Sequence, residues 1–136
     1  MGGKKKLLLL FCSLTLMLYI ISCLGGSYST LKSIENDTNN SIKMSYSKFN
    51  GYKFKSLQLK SGDILELNAN VNTNSGTLSL SLLTEDGTQV YKIDNPKIYL
   101  SEKINISKDG TYKIKILADN HSGDYDIDWK VQNVDS

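Results

Sequence analysis

Few residues in this chain are equipped for chemistry. His121 is the sole histidine and stands in Asp119-Asn120-His121-Ser122-Gly123. A catalytic imidazole needs a nucleophile at one ring nitrogen and an orienting group at the other, and no serine occupies a Gly-x-Ser-x-Gly pattern. The turn-forming neighbours of His121 place it in an exposed loop. Asp119, Asp124, Asp126 and Asp128 are the densest acidic cluster. Alternate residues of a strand lie about 6.5–7 Å apart, and calcium takes about six to eight oxygens, so these carboxylates cannot all ligate one ion. Their expected role is a solvated face paired with Lys113 and Lys115. A loop-end calcium site built from Asp119, Asn120 and Asp124 is the alternative. Every Asp that could join a glycoside-cleaving pair already has a turn or solvent-face role. No catalytic residue, resident metal or cofactor is assigned.

The aromatics offer a second kind of chemistry, stacking. Tyr112, Tyr125 and Trp129 share the parity of the apolar residues and belong to the core. Tyr52, Tyr91 and Tyr99 lie in stretches of mixed parity and are the candidate ligand contacts; Tyr99 is out of phase with Ile98, Leu100 and Ile104, so a core that takes those three leaves it exposed. Exposed tyrosines on a sheet suit a glycan or a protein partner.

The remaining reactive group is a thiol. Lys4, Lys5 and Lys6 precede an uncharged apolar run from Leu7 to Ile21, and small Ser22 stands before Cys23. This is the layout of a secretory signal. The run is shorter than the roughly 20 residues of a membrane-spanning helix. Ile20-Ile21-Ser22-Cys23 resembles the lipobox of bacterial lipoproteins. The resemblance implies transfer of diacylglycerol to the Cys23 sulfur, cleavage after Ser22, and Cys23 as the mature N-terminus held in a lipid bilayer on its extracytoplasmic side. Cys12 is a poor rival because bulky Phe11 precedes it. With Cys12 discarded and Cys23 acylated, no disulfide is expected, and the domain must stand on packing.

Cleavage after Ser22 leaves 114 residues, enough for one domain. Three lysines depart with the leader, so 13 lysines face 14 acidic groups, a formal charge of −1. There is no Arg, hence no bidentate reader of phosphate. Neither feature favours a nucleic-acid partner.

Residues 23–40 are rich in Gly, Ser, Thr and Asn without a sustained period and read as a lipid-anchored flexible tether. From residue 41 to 136 the apolar period is two, which predicts an all-β domain of about eight short antiparallel strands closed into a β-sandwich. Ile42, Met44 and Tyr46 share a face. Leu57 and Leu59 are out of phase with Tyr52 and Phe54, which predicts a bulge near Ser56. Leu65, Leu67, Ala69 and Val71 point inward, as do Leu78, Leu80 and Leu82, with turns at Asn50-Gly51, Ser61-Gly62-Asp63, Asn74-Ser75-Gly76, Asp86-Gly87 and Asp94-Asn95-Pro96. Ile104 and Ile106 follow, then Tyr112 to Ala118 and Tyr125 to Val131, read as a final hairpin around residues 118–123. Charge pairing would set Lys115 opposite Asp126 and Lys113 opposite Asp128.

The stretches from Lys60 to Leu67, Leu78 to Gly87, Asp109 to Ile116 and Ser122 to Tyr125 resemble secreted bacterial jelly-roll modules similar to prepeptidase C-terminal domains. The resemblance implies an accessory, non-catalytic unit that binds a protein or glycan of the cell envelope. The sequence leaves two alternatives open: a small hydrolase using carboxylates and His121, and a purely structural surface lipoprotein.

Overall fold

The computed structural model describes residues 24–96 and 99–133. The leader, Ser22, Cys23 and Ile98 lie outside the described residues. Seven strands form one antiparallel sheet, and the described residues contain no helix. They are β1 (Leu24–Leu31), β2 (Ile34–Asp37), β3 (Ser41–Leu59), β4 (Ile64–Thr84), β5 (Gln89–Asp94), β6 (Leu100–Asn105) and β7 (Gly110–Gln132).

Three of these strands are far longer than the usual five or so residues: β3 has 19, β4 has 21 and β7 has 23. The register shifts in the pairings among these three strands fall side by side. β3 slips between Tyr46 and Gly51, β4 between Thr73 and Thr77, and β7 faces both around His121 and Ser122. The buried parity flips at the same level in all three, from Ile42, Met44 and Tyr46 to Phe49 and Leu59, from Val71 to Leu78, and from Ala118 to Tyr125. A bulge bends a strand and re-aims its side chains. Three aligned bulges therefore fold the sheet over on itself into a β-sandwich. The first layer runs β2, residues 41–46, residues 123–132, residues 64–73, β6; the second runs β1, residues 49–59, residues 110–119, residues 77–84, β5.

Between the layers lies one apolar cluster that takes inward residues from both, including Ile127 and Trp129 from the first and Leu80, Ile114 and Ile116 from the second. The inward residues expected of the long strands are buried, apart from Val131, which is 40% exposed at the end of β7.

Several expectations are corrected by this geometry. The final hairpin does not form. Lys115 stands between Phe54 and Ser81, and Asp126 between Lys43 and Asn70. Charge pairs across a hairpin offer at most about 1 kcal/mol each, whereas an unbroken β7 makes backbone ladders with β3 on one side and β4 on the other. Asn120, at φ +47°, takes the bend that its turn-forming neighbours suggested. The Asn50-Gly51 and Asn74-Ser75-Gly76 turns are bulges within β3 and β4, and the phase change of β3 lies at residues 46–51 rather than near Ser56. The turns at Ser61-Gly62-Asp63 and Asp86-Gly87 are present, with Gly62 at φ +92° and Gly87 at φ +90°.

Residues 24–37, expected to be tether, form two edge strands that both pair with β3. Glycine here serves close packing. A Cβ at Gly25 would meet the Phe54 ring at 2.1 Å, so a side chain there would have to displace that ring. The edge is closed by Lys53, whose side chain is 1% exposed on the inner face of the second layer and ion-paired with Glu35 and Asp37 of β2 in the first. Tyr28 of β1 joins the cluster by donating to Glu35 Oε2 at 3.2 Å.

Candidate functional site

With the inward parity committed to the core, the outer face of the second layer displays the opposite parity. Across the strands, Tyr52 of β3 lies beside Ser27 of β1 and Leu117 of β7, and Leu117 beside Ser79 of β4; the next row runs Gly25, Phe54, Lys115, Ser81 and Lys92. Tyr52 is 38% exposed and Leu117 47%. The Lys115 ammonium sits 4.9 Å from the centroid of the Tyr52 ring, and the Lys113 ammonium 4.6 Å from that of Phe54. Such contacts are worth about 0.5–1 kcal/mol at exposed sites, little enough for a ligand to rearrange.

The ion pairs among the described residues involve Lys43, Lys53 and Lys92. Lys113 and Lys115 rest on rings instead of carboxylates. The face therefore combines an exposed aromatic, an apolar neighbour, serine hydroxyls and two ammonium groups set against rings.

The outer face of the first layer is chemically opposite. Asp124, Asp126 and Asp128 line up with Asn72, Asn70 and Asn68 on β4. Asn72 Nδ2 donates to Asp124 at 3.0 Å, Asn68 Nδ2 donates to Asp128 at 3.0 Å, and Lys43 pairs with Asp126 at 3.7 Å. The aspartates thus form the expected solvated face, with asparagines and Lys43 as partners in place of Lys113 and Lys115.

The three candidate tyrosines do not converge. Tyr91 is half-buried against the core, and burial raises its hydroxyl pKa, with Glu102 adding to the effect. Tyr99 is 70% exposed just before β6, which belongs to the first layer. Only Tyr52 stands on the face just described. Asp119, Asn120 and Asp124 are occupied at the bend: Asn120 Nδ2 donates to Asp119 at 3.1 Å, and Asn120 exchanges hydrogen bonds with Asn50. Among the described residues, no three His, Cys, Asp or Glu side chains gather into a cluster that could hold a metal ion.

His121 departs most from its expected place. Its ring is fully buried at the fold line, with Tyr46 Oη 2.5 Å from Nδ1 and Thr73 Oγ1 2.7 Å from Nε2. The line Thr73, His121, Tyr46 has the order of nucleophile, base and orienting group. Its third member is a phenol whose pKa burial pushes up, so it stays neutral and cannot stabilise an imidazolium as a carboxylate would. Burial also lowers the His121 pKa below 6.5, the nearby Asp124 acting in the opposite sense. Among the described residues, no acidic side chain hydrogen-bonds the ring. The arrangement satisfies buried polar groups where the ladders break. The parity flip between Ala118 and Tyr125 was the sequence signal for a bend here.

A cleft of 580 Å³ opens at the opposite end, between the 84–88 turn and the 105–112 loop. Its polar groups serve the turns: Asp109 accepts from Ser61 N at 2.7 Å, and Tyr112 Oη donates to the Lys108 carbonyl at 2.7 Å.

No protein-family model and no curated relative matches this sequence. Among solved structures, the fold is similar to the enzymatically active domain of bacteriophage CBA120 tailspike protein 4, with TM-score 0.52 and 14% identity over 82% of this chain and 20% of that one. It is likewise similar to a structure of CBM51-2, in complex with GlcNAc, and INT domains from Clostridium perfringens ZmpB, with TM-score 0.51 and 12% identity over 80% and 29% of the two chains. The pre-peptidase C-terminal domain of a Bacillus anthracis collagenase superposes at TM-score 0.48 with 13% identity over 74% and 90%. The chain spans only a fifth of the tailspike domain and under a third of the ZmpB structure. At these identities the likeness is one of fold. The class it defines is an all-β antiparallel sandwich of jelly-roll type.

Proposed function

We propose that this chain is a non-catalytic binding module that takes a glycan on the outer face of its second layer. The observation that carries the reading is Tyr52, an exposed ring on a regular strand, set between Leu117 and Ser27 with the Lys115 ammonium beside it. An aromatic face covers the apolar side of a sugar while hydroxyls and ammonium groups meet its polar edge. The ZmpB structure that includes CBM51-2 in complex with GlcNAc is similar in fold over 29% of its length, and this likeness is compatible with such a use of the scaffold. A hydrolase reading is disfavoured by the neutral partners of His121. Titration of the protein against a polysaccharide panel tests the proposal. Saturable binding lost in Tyr52→Ala, with the melting temperature unchanged, supports it; binding indifferent to Tyr52→Ala refutes it.

The module is proposed to be held at the membrane through acylated Cys23, facing the extracytoplasmic side. β1 begins at Leu24, so the anchor would adjoin the folded domain directly, without the tether the composition suggested. Intact mass of the membrane-bound protein checks this: residues 23–136 plus lipid support it, and an unlipidated chain in the medium refutes it.

A further inference from the structure

We infer that the ligand of the Tyr52 face is an anionic glycan, its negative groups meeting Lys113 and Lys115; this rests on the glycan reading and narrows its class. The two lysines are alternate residues on one face of β7, so their side chains leave the sheet about 6.5–7 Å apart. Both ammonium groups lie over rings, 4.6 Å from Phe54 and 4.9 Å from Tyr52, and among the described residues neither is ion-paired to a carboxylate. Lys92 adds a third cation in the same row as Lys115, offset by Asp94 at 3.5 Å. The acidic stripe lies on the other layer, so the cationic face is not neutralised by it.

A neutral sugar stacked on Tyr52 must displace the Lys115 ammonium and offers it only hydroxyl dipoles in return. An anionic sugar keeps that ammonium as its partner, since the group has three donors and the ring engages only part of them. The positioning of both cations on the rings thus selects charge as well as shape.

The full-length protein is titrated with polygalacturonate and with its fully methyl-esterified form, and in parallel with dextran sulfate and unmodified dextran. The expected result is binding of charged members that weakens with salt. It should drop about tenfold or more in the Lys113→Gln/Lys115→Gln double variant, and hold in a Lys103→Gln/Lys130→Gln control on the other layer. Binding by only the carboxylate or only the sulfate polymer supports the inference and identifies the anion. Equal binding of charged and neutral members, still dependent on Tyr52, overturns the anionic class and leaves the glycan reading standing. Equal loss in the two double variants reduces the effect to net charge and overturns it. Binding to none of the four polymers, or only to vesicles of anionic phospholipid, overturns both readings.

Discussion

The Tyr46 hydroxyl lies 2.5 Å from His121 Nδ1, a contact between β3 and β7 across the line where the sheet folds. The other ring nitrogen reaches Thr73 of β4 at 2.7 Å, so one imidazole ties together the three long strands where their ladders are interrupted. Burial keeps the phenol protonated. A neutral imidazole, with one ring nitrogen as donor and the other as acceptor, satisfies both hydroxyl partners in either tautomer, which makes the neutral ring the folded form.

Acidification should therefore weaken the fold through His121. Its folded pKa lies below 6.5 because of burial, so below that pH the unfolded chain holds a proton that the folded chain lacks. Stability falls as pH drops through 6.5 toward the folded value, by at most about 1.4 kcal/mol per pH unit. Denaturant melts at a series of pH values should show this slope in the native sequence and its loss in His121→Phe. That variant should also cost about 1–3 kcal/mol at neutral pH, because Tyr46 Oη is left buried without its partner.

Lys53 closes the sandwich edge, and its removal should be severe. In Lys53→Met, Glu35 and Asp37 face an apolar group in place of their cation. Breaking a buried pair from one side costs about 3–5 kcal/mol; the value here should fall at the lower end because the Glu35 side chain is 32% exposed. The triple variant Glu35→Gln/Asp37→Asn/Lys53→Met should recover part of the loss. Urea unfolding of the two variants measures it, and equal stabilities would show that uncompensated charge is not the cause.

At the bend, Gly76 has φ +76°, and a Cβ there would stand 2.1 Å from the Asn120 carbonyl oxygen. Both strain and a backbone clash oppose a side chain, so Gly76→Ala should destabilise by more than about 1 kcal/mol. Gly62, at φ +92° in an open turn with nothing near its Cβ position, carries only the conformational term. Gly62→Ala should accordingly cost less, and a melting curve that reversed this order would show that the β4–β7 approach is not tight.

On the proposed ligand face, Tyr52→Ala and Lys115→Gln alter an exposed and a half-buried side chain outside the core. Each should change stability by no more than about 1 kcal/mol, the lost ring–ammonium contact included. Thermal melts compared with binding isotherms separate ligand contact from folding, and a large fall in melting temperature would recast Tyr52 as a structural residue.

The inward residues of the long strands were readable because a period of two fixes which side chains share a face, whatever the strands pair with. Leu65, Leu67, Leu78, Leu80, Ile114 and Ile116 are buried as that period requires. The phase change at residues 118–125 was also visible, and that of β3 was read near Ser56 instead of at residues 46–51, but a phase change does not say whether a chain turns back or continues through a bulge. Turn-forming residues at 74–76 and 119–123 suit either outcome. Composition misled at residues 24–37, because glycine loosens an isolated chain yet also allows β1 to lie under the Phe54 ring.

By itself, the sequence determined the all-β class, the parity of the core and the opposed character of the Asp and Lys stretches of β7, since these follow from local period and residue type. Only the tertiary structure decided that β7 runs unbroken between β3 and β4, that His121 is buried, and that Tyr52 meets Lys115 while Tyr91 and Tyr99 stand elsewhere. Those facts depend on pairing between residues distant in the chain. Such pairing is selected by the summed backbone ladders and burial of the whole sheet, which no short stretch of sequence contains.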